Sequence, residues 1–319
     1  MSEVITMGEP MAMFVADEEG SLESVCHYTR FLAGAEVNVS IGLSRLGYDV
    51  AYVTRVGLDP FGAYIQKALQ DDRIRTSYLS VDPLYPTGFQ LKSKVLMGDP
   101  EVVYFRKGSA ASHLTSTDVE KVDLTKTRHI HVTGIPLALS DSCRGAIESL
   151  IERGRELNIP ITFDPNLRPG LWQNQETMVK TINHIATLCD YFLPGKEEAA
   201  ITSGYSDVVK ASEFYLRLGV KAVIIKDGPN GAFVHTGTHS FTVPGFPVLR
   251  VIDTVGAGDG FAVGFISGIL DGISLHETVK RANAIGALQV MTRGDNDGLP
   301  TRSELEAFFD DYLKLNGDK

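Results

Sequence analysis

Apolar and polar residues alternate in blocks along most of the chain. From about residue 128 onward, short apolar runs (His129-Ile-His-Val-Thr133, Pro160-Ile-Thr-Phe163, Asp190-Tyr-Phe-Leu193 and Lys221-Ala-Val-Ile-Ile225) are separated by amphipathic stretches such as 142–157 and 208–218. Continuous apolar strands spaced by helix-length segments predict a parallel sheet with crossover helices on both faces. The expected fold class is α/β, a doubly wound, mostly parallel sheet flanked by helices. The first third adds strand pieces at Val4-Ile-Thr-Met-Gly8 and Tyr52-Val-Thr-Arg-Val56, and a helical spacing from Val37 through Ile41 to Leu46.

Two segments break that alternation. Phe89-Gln-Leu-Lys-Ser-Lys-Val95 alternates strictly between apolar and polar, and Val102-Val-Tyr-Phe-Arg106 follows the turn signal Gly98-Asp-Pro100. Together they predict an antiparallel hairpin with one wet face, and the strand-like Met11-Ala-Met-Phe-Val15 is placed to pair with it. No internal repeat, low-complexity tract or long linker interrupts the chain. The expectation is one domain over 1–319 that carries a small β-lid from about 11–32 and 87–108, rather than two independent units.

Composition narrows the function classes. The 319 residues are 43% hydrophobic and 22% charged, ordinary for a soluble globular protein with a sizeable core. The formal charge is -10, and no basic run would track a nucleic-acid backbone or an anionic membrane, so neither is an expected partner. Three widely spaced cysteines (Cys26, Cys143, Cys189) suggest neither a disulfide framework nor a zinc site. With no basic leader and no apolar stretch of ~18 residues, a cytoplasmic location is expected.

The candidate chemistry lies in Asp253-Thr-Val-Gly-Ala-Gly-Asp-Gly260, which follows a strand-like run, Val248-Leu-Arg-Val-Ile252, and leads into the apolar helix-length segment 261–270. Glycines before a helix let the backbone approach a ligand closely, and the unpaired N–H groups of a helix start favour an anion. Asp259 at the start of that helix can equally be read as an N-cap. Neither a Walker sequence nor a dinucleotide fingerprint is present: Gly195-Lys196 is followed by Glu197, and Gly256-Ala-Gly-Asp-Gly lacks the third glycine at its offset.

From end to end the chain resembles the ribokinase-like (PfkB) carbohydrate kinase family. The resemblance is carried by the D-T-x-G-A-G-D signature at 253–259, Ala33-Gly-Ala-Glu-Val-Asn38, Val56-Gly-Leu-Asp-Pro-Phe-Gly62, Asp164-Pro-Asn-Leu-Arg168 and Lys226-Asp-Gly-Pro-Asn-Gly231. It implies a ribokinase-like fold and an ATP-dependent kinase. Asp259 is then the base for the sugar hydroxyl, while the backbone of Gly256, Ala257 and Gly258 forms the anion hole. Phosphoryl transfer asks the protein chiefly to position reactants and stabilise charge, so the carboxylate would face the hydroxyl rather than the phosphate, with helix-end amides favouring its ionised form.

The same resemblance implies that Asn166 and Arg168 approach the phosphates, that Lys226, Gly228 and Gly231 cover the nucleotide, and that Asn283 lies near the adenine. Read from the residues alone, 226–228 is also an ordinary strand exit and Asn283 a surface residue. Magnesium is expected with ATP and is assigned indirectly to Glu198, which is otherwise a plain first-turn carboxylate. A monovalent cation near Asp253 is a further implication. Many members carry Asn where this chain has Gly195.

Tyr104 and Arg106 lie two apart on a predicted strand and so share a face. Arg106 then reads either as a carboxylate clamp or as an exposed edge-strand cation. The Tyr104–Arg106 pair, Ala33 to Asn38 and Arg293-Gly-Asp295 are similar to the family's 2-keto-3-deoxygluconate kinases. That likeness implies contacts to a sugar acid from Gly34, Ala35, Glu36, Val37, Asn38, Gln90, Tyr104, Arg106, Arg168 and Asp295. Gln90 stands where those kinases often have tyrosine, and Ala33 where glycine is frequent. The expected reaction is phosphorylation of the 6-hydroxyl of 2-dehydro-3-deoxy-D-gluconate. The alternatives are a neutral ketose kinase such as a fructokinase and a non-catalytic sugar-binding sensor. An apolar lid face would make a homodimer the expected assembly.

Overall fold

Val4–Met7, the first apolar run, is buried at every position, as a strand covered on both faces must be. The structure, a computed structural model, describes residues 2–95, 100–248, 250–292 and 294–316. Thirteen strands are present among them: β1 (Val4–Met7), β2 (Met11–Glu19), β3 (Tyr28–Ala33), β4 (Val50–Gly57), β5 (Leu79–Asp82), β6 (Phe89–Lys94), β7 (Val102–Phe105), β8 (His129–Thr133), β9 (Ile161–Asp164), β10 (Tyr191–Phe192), β11 (Ala222–Lys226), β12 (Ala232–His235) and β13 (Ser240–Val243).

Nine of them form one sheet in the order β13-β12-β11-β10-β9-β8-β1-β4-β5, parallel from β11 to β5 and antiparallel at the β12–β13 edge. Successive side chains go to opposite faces. Val4, Val50 and Tyr52 enter one core with the helices Ala35–Arg45 and Ala257–Asp271, while Ile5, Ala51, Ile130 and Val132 enter the other with Asp141–Glu156. The doubly wound architecture expected from the apolar blocks is the one observed.

The remaining four strands make a separate sheet, β3-β2-β6-β7, with β6 antiparallel to β7 and parallel to β2. The turn expected at 98–100 falls, except for Pro100, outside the described residues. Two expectations need correction. Residues 248 and 250–252 form no strand; Val251 and Ile252 are exposed, and upstream Pro244 and Pro247 cannot donate to a ladder. The helix expected to start near Asp259 begins at Ala257, capped by Gly256, so Asp259 sits inside its first turn and is not the N-cap.

Candidate active site

The parallel strands of the large sheet end together, and their exits supply polar residues: Glu9 after β1, Asp164 closing β9 with Asn166 and Arg168 beyond it, Glu198 after β10, and Lys226 closing β11. This is the edge where open α/β sheets hold ligands. The lid sheet covers it, enclosing a cavity of about 660 Å³.

Asp259 lies on the wall of that cavity, nine-tenths buried. Its Oδ2 accepts a bond from Asn38 Nδ2 at 2.8 Å, and Asn166 Nδ2 stands 3.5 Å from its Oδ1. Asn38 is held in turn by Asn296, whose Nδ2 donates to Asn38 Oδ1 at 3.1 Å. Burial pushes the carboxyl up to about 7; the Asn38 bond pulls the other way without overcoming it. The expectation that helix-end amides would favour the ionised form is thus reversed by desolvation. Gly256 has φ 82°, and a Cβ there would meet the Asp295 carbonyl at 2.3 Å, so only glycine fits this turn. Gly256 and Gly258 border the cavity beside Asp259, with Thr254 and Val255.

Lys226 Nζ lies 3.4 Å from the place where a Gly258 Cβ would stand, within ion-pair distance of Asp164 Oδ2. Burial alone would lower this ammonium, but the carboxylates of Asp164, Glu198 and Asp259 outweigh it and raise Lys226 above its ordinary range. Asn166 adopts a left-handed backbone (φ 38°), which turns its N–H back to Asp164 Oδ1 at 3.1 Å. Glu198 uses both oxygens on backbone, accepting from Leu167 N and Gly195 N at 2.7 Å each, so its helix-end role and its place on the cavity wall coexist.

Past Gly258 a second, more apolar cavity of about 400 Å³ opens between Gly228, Pro229 and Gly231 on one side and Val251, Ala257 and Phe261 on the other. Asn283 also lines it; it is not a surface residue, and its Nδ2 donates to Val243 O and Pro244 O at 3.0 Å each. Val248 and Val251, from the run expected to be a strand, therefore line this cavity instead of a sheet.

On the lid side, Gly34, Ala35, Asn38, Gln90, Tyr104, Arg106, Arg168 and Asp295 all border the larger cavity. Glu36 and Val37 do not: both side chains are fully buried in the interior. Glu36 bonds Thr133 Oγ1, its Oε2 has no partner among the described residues, and burial pushes it up to about 7. Arg293 lies outside the described residues. Arg106 is buried, which excludes the exposed edge-cation reading, and its guanidinium sits 5.6 Å from the Tyr104 ring centroid. Its charge is already partnered: Nε donates to Glu9 Oε2 at 2.6 Å, and Nη2 also contacts that oxygen. Arg168 is exposed and has no carboxylate within ion-pair distance among the described residues.

Sequence reasoning missed Glu9 and Lys92. Glu9 lies two residues past the end of the first strand, a position whose place at the ligand edge was readable. Lys92 is two residues from Gln90 on β6 and so shares its face; it is 3% exposed, with its ammonium 2.6 Å from Asp253 Oδ2. Asp253, expected to border a monovalent cation, thus carries a lysine on its outer oxygen.

Known proteins bear on this geometry. Residues 1–302 match the family model described as pfkB family carbohydrate kinase. The chain is 47% identical over 307 residues to the 2-dehydro-3-deoxygluconokinase of Bacillus subtilis (strain 168), covering 96% of this chain and 95% of that protein. The crystal structure of a PfkB protein from Polaromonas sp. JS666 is 43% identical with a TM-score of 0.88, over 96% of this chain and 100% of the other. A fructokinase from Vibrio cholerae O395, in a fructose-, ADP- and calcium-bound form, superposes with a TM-score of 0.86 at 27% identity, over 97% and 99%. With the family model matched over residues 1–302 and a 47% identical relative over nearly the whole chain, the chain belongs to the pfkB family of carbohydrate kinases.

Proposed function

We propose that this kinase transfers the γ-phosphoryl group of ATP to the 6-hydroxyl of 2-dehydro-3-deoxy-D-gluconate, with the whole chain acting as one catalytic unit under the lid formed from 11–32 and 87–108. The observation that carries the reading is the position of Asp259: a carboxyl on the cavity wall, hydrogen-bonded to Asn38 and beside the Gly256–Gly258 turn. A base with its pKa near the working pH accepts the hydroxyl proton late in the reaction. The N–H groups of Gly256, Ala257 and Gly258 and the Lys226 ammonium offer positive charge to the equatorial oxygens of the moving group. The apolar cavity lined by Asn283 suits an adenine, and Gly228 and Gly231 let the backbone approach it.

The oxygen donors at this end fit a magnesium ion held mainly by phosphate oxygens and water. Asp164 and Glu198 each already accept bonds on both carboxylate oxygens, which favours contact through water. When bound with ATP, magnesium supplies neutralisation of phosphate charge. Asn166 and Arg168 remain on the phosphate side of the cavity, and Arg168 also reaches the sugar.

At the acid end, Tyr104 and Arg106 bound the site, and the similarity to the Bacillus subtilis enzyme supports a sugar-acid substrate. The neutralisation of Arg106 by Glu9 favours a second reading, a neutral ketose kinase, in which Glu9 and Arg106 together read hydroxyls. ADP release measured with 2-dehydro-3-deoxygluconate, its galactonate epimer, gluconate, fructose and ribose separates the two. Highest kcat/KM on the deoxy keto acid is expected, and a preference for fructose would replace the first reading by the second. The exposed Phe105 and half-buried Phe89 on the outer lid face support a homodimer, which light scattering in solution tests.

A further inference from the structure

Lys92 is a buried ammonium that the reaction described above does not use. It projects from lid strand β6 onto two carboxylates of the main body, Asp253 Oδ2 at 2.6 Å and Asp295 Oδ1 at 3.3 Å. All three side chains are at least 86% buried. Asp295 and Asp253 repel each other, and burial pushes the Asp295 carboxyl up while Lys92 draws it back.

Both carboxylate residues support the glycine turn. Asp253 Oδ1 accepts from Val255 N at 3.0 Å, one residue before Gly256, and the Asp295 carbonyl packs on Gly256 so closely that no Cβ could intervene. Without a cation between them, two nearly dry like charges would have to separate or take up a proton, and either would move the turn.

We propose that the Lys92 ammonium serves as a tethered monovalent cation, a positioning group that holds Asp253 and Asp295 together and so links closure of the lid to the shape of the Gly256–Gly258 anion hole. The side chain borders the larger cavity, but in this role it does not act on the sugar. It sets the turn through its two carboxylates, which predicts a loss in kcat rather than in sugar binding.

Lys92→Met should lower kcat by about tenfold or more, with a smaller change in the KM for the sugar. At constant ionic strength, replacing choline chloride by ammonium or methylammonium chloride should restore much of that loss saturably and leave the wild-type rate unchanged. Ammonium should also raise the Tm of Lys92→Met, but not of wild type, in the absence of any substrate. The rate measurement rests on the kinase reading; the thermal one does not, so failure of the substrate assignment cannot be mistaken for failure of this inference. Lys92→Arg, which keeps the charge, should stay closer to wild type than Lys92→Met. A folded Lys92→Met with wild-type kcat, or with a loss that no small cation repairs and no cation-dependent Tm, overturns the proposal. If the variant accumulates as folded protein only when prepared in ammonium chloride the proposal stands, and equal failure in ammonium and choline overturns it.

Discussion

The two sheets of this protein differ in which strand faces they bury. In the nine-stranded sheet both faces are filled mainly by apolar side chains, with fully buried polar groups among them, His129, His131 and Thr162 within β8 and β9 and Thr133 and Asp164 at their exits. In the lid, β2 and β3 still bury Met11, Met13 and Leu32, but β6 and β7 invert the pattern. On β6 the polar Gln90 and Lys92 are buried against the cavity, whereas Phe89 and Leu91 are only half-buried and Phe105 on β7 is exposed. An alternating strand normally hides its apolar side; on β6 it is the polar side that is hidden, facing the cavity. The lid's inner face is covered by the cavity and its ion pairs, Arg106 with Glu9 and Lys92 with Asp253, replace apolar packing. On the proposed reading the large sheet positions the reacting groups and the lid supplies selectivity.

That division can be broken by experiment. Asp259→Asn should lower kcat by about 10²–10⁴-fold while sugar binding, followed by calorimetry, largely survives. Equal loss in binding would mean that the main-body residue selects as well as reacts. Next, Arg106→Ala removes the partner of a buried carboxylate and should cost stability on the order of 3–5 kcal/mol, read in a urea melt, along with a higher KM for sugar acids than for neutral sugars. Pairing it with Glu9→Gln should recover much of the stability but not the KM; recovery of both would reduce the lid pair to a structural device.

The pH profile is a third test. An essential ionised Asp259 with its pKa near 7 makes kcat/KM fall about tenfold per unit below that value and level off above it. Stability runs in the opposite sense. Because the folded pKa is raised above 3.8, the contribution of Asp259 is fully present below 3.8 and is lost as pH rises through about 7. Asp259→Asn should therefore melt higher than wild type at pH 8 and show little advantage at pH 4. A variant that melts lower at pH 8 would show the carboxylate to be stabilising. The smallest effect is expected at the outer lid face: Phe105→Ser should leave kcat and KM within about twofold, as surface changes usually do, and weaken self-association if the lids pair. A large change in KM would show that the outer face also takes part in selection.

Much of this was legible from local pattern. Apolar blocks predicted the sheet, and the glycine turn at 256–258 with Asp259 marked the centre, because backbone freedom and helix-start donors are properties of a few adjacent residues. The site residues that escaped notice owe their role to partners far along the chain. Lys92 meets Asp253 and Asp295 across 161 and 203 residues, and Glu9 meets Arg106 across 97. Glu36, read as a sugar contact from its motif, turns inward because its position on the helix Ala35–Arg45 faces the sheet and not the cavity.

The sequence by itself determined most of the strands and helices and the glycine turn, since these follow from spacing and from which residues tolerate which backbone; residues 248 and 250–252 were an exception, forming no strand. Tertiary structure alone decided the ionisation of Asp259, the neutralisation of Arg106 and the fate of Lys92. Each depends on how much water is excluded and which opposite charge arrives, and both are set only when distant segments meet.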